Sequence, residues 1–187
     1  MNFIFIRHSK TDRNPAVPFI CWGLTAEGIE LAEHLSQEEI IKELDVLYSS
    51  SQTKALETAL YLAKPNGISI KVDPNLTEVT SFTIKYDADI DIYTKNVHDF
   101  YSGAIDRING GETKAEALDR FNMSLEAIAK AERGSSDIGI VTHGNILALF
   151  TAQYKDVDCL DLHYKIKQPD VAVFNWKEKR FMSFFGE

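Results

Sequence analysis

Asn2-Phe3-Ile4-Phe5-Ile6-Arg7-His8-Ser9-Lys10-Thr11 is the stretch from which the fold is read. Its apolar part is far too short to cross a bilayer and lacks the basic leader of a signal peptide. A short β-branched and aromatic run that ends abruptly in charge is instead the pattern of a buried strand, here the first of a core sheet. Similar short runs follow at residues 45–48, 68–72, 138–141, 171–176 and 181–185, rich in Val, Ile and Phe.

Longer segments of helical period lie between them. Residues 25–44 place Ile29, Leu31, Ala32, Leu35, Ile40 and Ile41 at helix-like intervals, with Thr25 as N-cap and Glu27 in the first turn. A second helix is expected over residues 52–63, stopping before Pro65 and Gly67. Thr113-Lys114-Ala115-Glu116 reads as a capping box that opens a third, carried on by Leu118, Phe121, Leu125, Ile128 and Ala129. Strands alternating with helices predict an α/β/α sandwich around a mostly parallel sheet, with the last two strands forming an edge hairpin across Lys177-Glu178-Lys179. The 187 residues suit one domain. Residues 80–109, irregular and rich in aromatic and acidic side chains, read as a helical insertion over one end of the sheet.

A net charge of −8 argues against a nucleic-acid partner, because phosphate backbones need a basic face. It leaves room for a small phosphorylated ligand in a locally positive pocket. The two cysteines, Cys21 and Cys159, have no metal-like spacing and fit free thiols in a reducing compartment. The sequence thus predicts a soluble cytoplasmic protein without a membrane partner, and no metal or organic cofactor is implied.

In open α/β sheets, ligands bind beyond the carboxyl ends of strands. His8 follows the first strand, and His143 follows a later one in Ile140-Val141-Thr142-His143-Gly144-Asn145. Parallel strands bring both to one edge. A histidine that accepts a phosphoryl group must be neutral and aimed, with cations around the phosphoryl oxygens and an acid for the leaving oxygen. Arg7 supplies a planar fork beside His8, and Asn14 a neutral donor. His143 supplies a second donor, and Gly144 permits a close backbone approach. The helix starting near Asn145 is expected to turn its amides toward the bound anion. His34, His98 and His163 have no such setting and read as ordinary histidines.

These residues resemble the motifs of the histidine phosphatases, the phosphoglycerate mutase-like superfamily. Arg7-His8-Ser9-Lys10-Thr11 with Asn14 is similar to its Arg-His-Gly signature, and Leu24-Thr25-Ala26-Glu27-Gly28 to its Leu-Thr-x-x-Gly helix start. Ser49-Ser50, Lys54-Ala55 and Glu57-Thr58-Ala59 resemble the Ser-Ser-x-x-x-Arg-Ala-x-x-Thr-Ala segment. Leu76-Thr77-Glu78, Gly111-Glu112 and Thr142-His143-Gly144-Asn145 complete the order. The resemblance implies that His8 is the phosphorylated nucleophile and Glu78 the proton donor, with Arg7, Lys54 and His143 around the phosphate. Two positions depart from the pattern. Ser9 replaces a glycine, bringing a hydroxyl that either donates to phosphate or crowds the pocket. Lys54 replaces an arginine, exchanging a bidentate fork for a point charge on a flexible stem. The apolar run Ile146-Leu147-Ala148-Leu149, where the family often carries arginine, reads as core packing. The leading expectation is a metal-independent phosphatase of a small phosphorylated metabolite. Mutase-type phosphotransfer, a phosphoprotein substrate and a non-catalytic phosphate-binding domain are the alternatives.

Overall fold

A computed structural model describes residues 1–14, 16–79 and 90–186, the Ile90 side chain excepted. Its strands are β1 (Asn2–Arg7), β2 (Val46–Ser49), β3 (Ile70–Val72), β4 (Asp137–Thr142), β5 (Asp170–Asn175) and β6 (Arg180–Ser183). They form one sheet in the order β3-β2-β4-β1-β5-β6. The pairs β3·β2, β2·β4 and β4·β1 are parallel, whereas β5 runs antiparallel to both β1 and β6, closing the expected edge hairpin.

The two-residue period of β1 builds both halves of the core. Phe3 and Phe5 enter one apolar cluster and Ile4 and Ile6 the other, all at most 2% exposed. The isoleucine face is covered by α1 (Ala26–Leu35), α2 (Glu39–Lys42) and α3 (Thr53–Ala63), with Ile41, Ala55, Ala59 and Leu62 buried there. The phenylalanine face is covered by α4 (Ile90–Ser102), α5 (Lys114–Ala131), α6 (Gly144–Ala152) and α7 (Cys159–Lys165). Phe5 meets Phe121 of α5, Phe150 of α6 and Phe174 of β5 at ring-centroid distances of 5.0–6.1 Å. Ile146, Leu147, Ala148 and Leu149 are buried in this cluster, as core packing requires.

The local signals behave as physical chemistry dictates, with one correction. The Thr25 hydroxyl accepts from the Gly28 amide, and both arms of the Thr113–Glu116 capping box are made. The segment 25–44 is two helices rather than one. The Ser36 hydroxyl donates to the Glu33 carbonyl at 2.6 Å, and the chain turns through residues 36–38 before α2 begins. Of the aromatic and acidic stretch, α4 buries Val97 and Phe100 in the core, while residues 80–89 lie outside the described residues. Both cysteines are free. Among the described residues, no helix is long and apolar enough to cross a membrane.

Candidate active site

The parallel register of β1 and β4 places Arg7 opposite Thr142, so His8 and His143 leave the sheet side by side. The two rings lie 5.1 Å apart between centroids, both buried. His8 lines an open pocket together with Arg7, Lys54, Glu78, Tyr93 and the exposed Arg13, whereas His143 is fully buried behind it and does not line it.

His8 is set up as a neutral, directed base. Its Nδ1 lies 2.8 Å from the Ser9 carbonyl oxygen, which can only accept, so Nδ1 carries the proton and Nε2 keeps a free lone pair. Burial, reinforced by the charges of Lys54 and Arg7, holds the imidazole well below its usual titration range. His143 is held down likewise by burial, His8 and the same two cations. The His143 Nε2 meets the Ser50 hydroxyl at 2.8 Å, while its Nδ1 has no partner among the described residues.

Two cations flank the pair. Arg7 Nη1 donates to the Ile166 carbonyl at 2.5 Å and to that of His163 at 3.5 Å, so the end of α7 orients the guanidinium. Its buried Nε has no partner among the described residues. Gly144 is what lets this guanidinium in, because a Cβ there would stand 2.8 Å from Arg7 Cζ. The close approach expected of Gly144 is therefore made to the arginine. Lys54 is buried on α3, with its ammonium 5.2 Å from the Phe19 ring centroid and 5.9 Å from that of Trp22. Burial lowers its pKa to about 8, with Glu78 raising it and Arg13 and Arg7 lowering it further.

Glu78 is placed differently from a solvated glutamate. One carboxylate oxygen accepts from the Asn145 amide at 3.0 Å; the other accepts from Ile146 at 2.9 Å and Val79 at 3.0 Å. The α6 amides expected to face a bound anion are thus occupied by this side chain, because a carboxylate at a helix N-terminus meets both the free N–H groups and the helix dipole. The turn carrying Glu78 is tied to β4 by the Thr142 hydroxyl, which donates to the Leu76 carbonyl at 2.6 Å.

Two expected phosphate ligands are not brought to the pocket. The Ser9 hydroxyl donates to the Gly28 carbonyl at 2.6 Å, and its amide donates to Thr58 Oγ1 at 3.0 Å. Ser9 therefore joins the loop after β1 to α1 and α3 and neither reaches the pocket nor crowds it. The close seating of α1 on this loop also explains Gly28, where a Cβ would fall 2.2 Å from the Lys10 carbonyl oxygen. Asn14 is exposed, and its Oδ1 accepts from the Ala16 amide at 2.9 Å within its own turn. Thr11, Arg13, Phe19, Trp22 and Gln168 line the pocket without having been expected there, since they sit on irregular segments with no periodicity, and Asn145 lines it from the start of α6. Of the tyrosines in the aromatic stretch, Tyr93 lines the pocket and Tyr101 donates to the Asn145 carbonyl at 3.2 Å; Tyr86 is outside the described residues. His163, read as ordinary, is buried behind Arg7, and burial takes its imidazole to about 3.

A family model described as the histidine phosphatase superfamily (branch 1) matches residues 3–183. No curated protein matches the chain. Solved structures do. YhfR of Bacillus stearothermophilus is 23% identical, with a TM-score of 0.77 over 100% of this chain and 96% of that one. A mycobacterial glucosyl-3-phosphoglycerate phosphatase complexed with VO3 is 17% identical, with a TM-score of 0.76 over 100% and 99%. A phosphoserine phosphatase from Entamoeba histolytica, a histidine-to-alanine variant holding phosphoserine, is 21% identical, with a TM-score of 0.74 over 98% and 96%. At these identities the likeness is one of fold.

Proposed function

Because the chain belongs to the histidine phosphatase superfamily, we propose that it is a phosphatase hydrolysing a small phosphorylated metabolite through a phosphohistidine on His8. The observation that carries this reading is the 2.8 Å contact of His8 Nδ1 with the Ser9 carbonyl oxygen. A carbonyl can only accept, so the imidazole proton sits on Nδ1, which leaves a buried, neutral Nε2 lone pair in the lining of a cationic pocket.

In the first step Glu78 takes up the proton of the monoanionic phosphate ester, Nε2 attacks phosphorus in line, the ester P–O bond breaks, and Glu78 passes that proton to the leaving oxygen. In the second, Glu78 takes a proton from the water that attacks the phosphohistidine, releasing inorganic phosphate and restoring His8. Arg7 Nε and His143 Nδ1, both lacking partners among the described residues, are the donors that a phosphoryl group would satisfy. Lys54 supplies the second full positive charge. Charge neutralisation is thereby provided by side chains, which supports metal-independent turnover. The fates of the two departures from the family pattern favour catalysis over mere binding, since Ser9 serves packing and Lys54 keeps a cation in the pocket. The similar structures named as phosphatases lend support to hydrolysis over mutase chemistry. The free thiols support a cytoplasmic setting.

The test is release of inorganic phosphate from 4-nitrophenyl phosphate across pH 5 to 8 in the presence of a chelator. Wild type should turn over and His8→Ala should not, with both proteins folded. Equal release by the two proteins would end the proposal.

A further inference from the structure

Arg120 lies on α5 and belongs to none of the residues that line the pocket. Its guanidinium nevertheless spends every nitrogen on one task. Nε and Nη2 form a two-pronged pair with Glu112, at 2.7 and 2.8 Å. The remaining donors reach three carbonyls of the turn that carries the acid: Nη1 to Asn75 at 2.5 Å and Thr77 at 3.2 Å, and Nη2 to Glu78 at 3.3 Å. Both partners of the ion pair are largely sheltered, with side chains 16% and 17% exposed.

The geometry points to Arg120, held by Glu112, as the positioning residue for the proton donor Glu78. This inference rests on the proposed phosphatase reaction. The turn has just left the sheet, so its carbonyls have no strand to pair with. A planar fork of five N–H donors anchored on a carboxylate satisfies three of them at once, which a lysine could not. Fixing carbonyls 75, 77 and 78 fixes the Glu78 Cα, and with it the reach of the carboxyl group to the Asn145 and Ile146 amides. Gln52 assists from α3's N-cap, donating from Nε2 to Thr77 Oγ1 at 2.5 Å. The Arg120 charge also contributes to keeping His143 neutral, which places it close to the chemistry without touching it. The pairing gives Gly111-Glu112 a role as well, since Glu112 lies just before the helix that bears Arg120.

The experiment compares an aryl ester, 4-nitrophenyl phosphate, whose leaving group needs little protonation, with an alkyl ester, glycerol phosphate, whose leaving group needs much. Removing the acid by Glu78→Gln should slow the alkyl ester about a hundredfold and the aryl ester far less. Arg120→Met should reproduce this selectivity, lowering kcat on the alkyl ester at least about tenfold with the aryl ester within about threefold. Arg120→Lys should recover only a small part. In the Glu78→Gln background, Arg120→Met should cost less than about twofold more, because a positioning residue has nothing left to position. Thermal unfolding checks each variant, and Glu112→Gln, which removes only the anchor's charge, serves if Arg120→Met does not fold. Equal loss on both esters, or full additivity in the double variant, would overturn the inference. Failure of the reaction itself would look different: His8→Ala would then match wild type on the aryl ester.

Discussion

Lys54 offers a prediction in which activity and stability move in opposite directions over one range of pH. A lysine in water titrates near 10.5, and burial among Phe19 and Trp22 brings this one to about 8. The pH dependence of kcat/KM reports the free enzyme, so it should show a basic limb centred near pH 8 and fall about tenfold from pH 7 to pH 9. The sign for stability is the reverse. Between about 8 and 10.5 the unfolded chain holds a proton that the native chain has lost, so stability rises with pH across that window. Below about 8 the full cost of the buried ammonium is present. The interval corresponds to about 3 kcal/mol, an order-of-magnitude figure. Lys54→Met should therefore be more stable than wild type at pH 7, with the advantage shrinking by about that amount toward pH 10.5 in urea unfolding. Lys54→Arg should fold, bind phosphate and lose the basic limb, since a guanidinium stays charged throughout. A basic limb that persists unchanged in Lys54→Arg would refute the reasoning.

Ser9→Ala removes the hydroxyl that donates to the Gly28 carbonyl. It should cost about 1 kcal/mol of stability by denaturant titration while leaving KM for 4-nitrophenyl phosphate within about twofold, because the hydroxyl faces away from the pocket. Arg13, exposed at the rim with its guanidinium 5.5 Å from the Tyr93 ring centroid, makes no ion pair among the described residues. Arg13→Ala should raise KM for dianionic esters several-fold with kcat unchanged, and the effect should fade as salt screens the rim.

The central strands β1, β4 and β5 were legible because each is a short, bounded run rich in Val, Ile and Phe, and the two histidines because both directly follow such runs. Register did the rest, since pairing Arg7 with Thr142 left no other place for the rings. Arg13, Phe19, Trp22 and Gln168 were illegible because loop residues carry no period and reach the pocket only through tertiary closure. Glu78 came from resemblance alone. Nothing local to Leu76-Thr77-Glu78 announces that its carboxylate will sit on the amides of Asn145 and Ile146, some seventy residues away along the chain. Ser9 misled for a related reason. Its partner carbonyl is Gly28, and that contact exists only once α1 has docked on the loop after β1.

The strand order has a consequence for how the chain matures on the ribosome. β1 is made first, yet its two neighbours are β4, starting at Asp137, and β5, starting at Asp170. At typical synthesis rates the Phe-Ile-Phe-Ile segment waits for about ten seconds or more with both edges unpaired. Such a segment, apolar and uncharged, is the kind that adds to other unpaired strands. Contacts this distant along the chain also slow closure of the sheet once synthesis ends. The same central position that lets β1 carry Arg7 and His8 into the pocket therefore makes it the chain's most exposed liability until its last strands emerge.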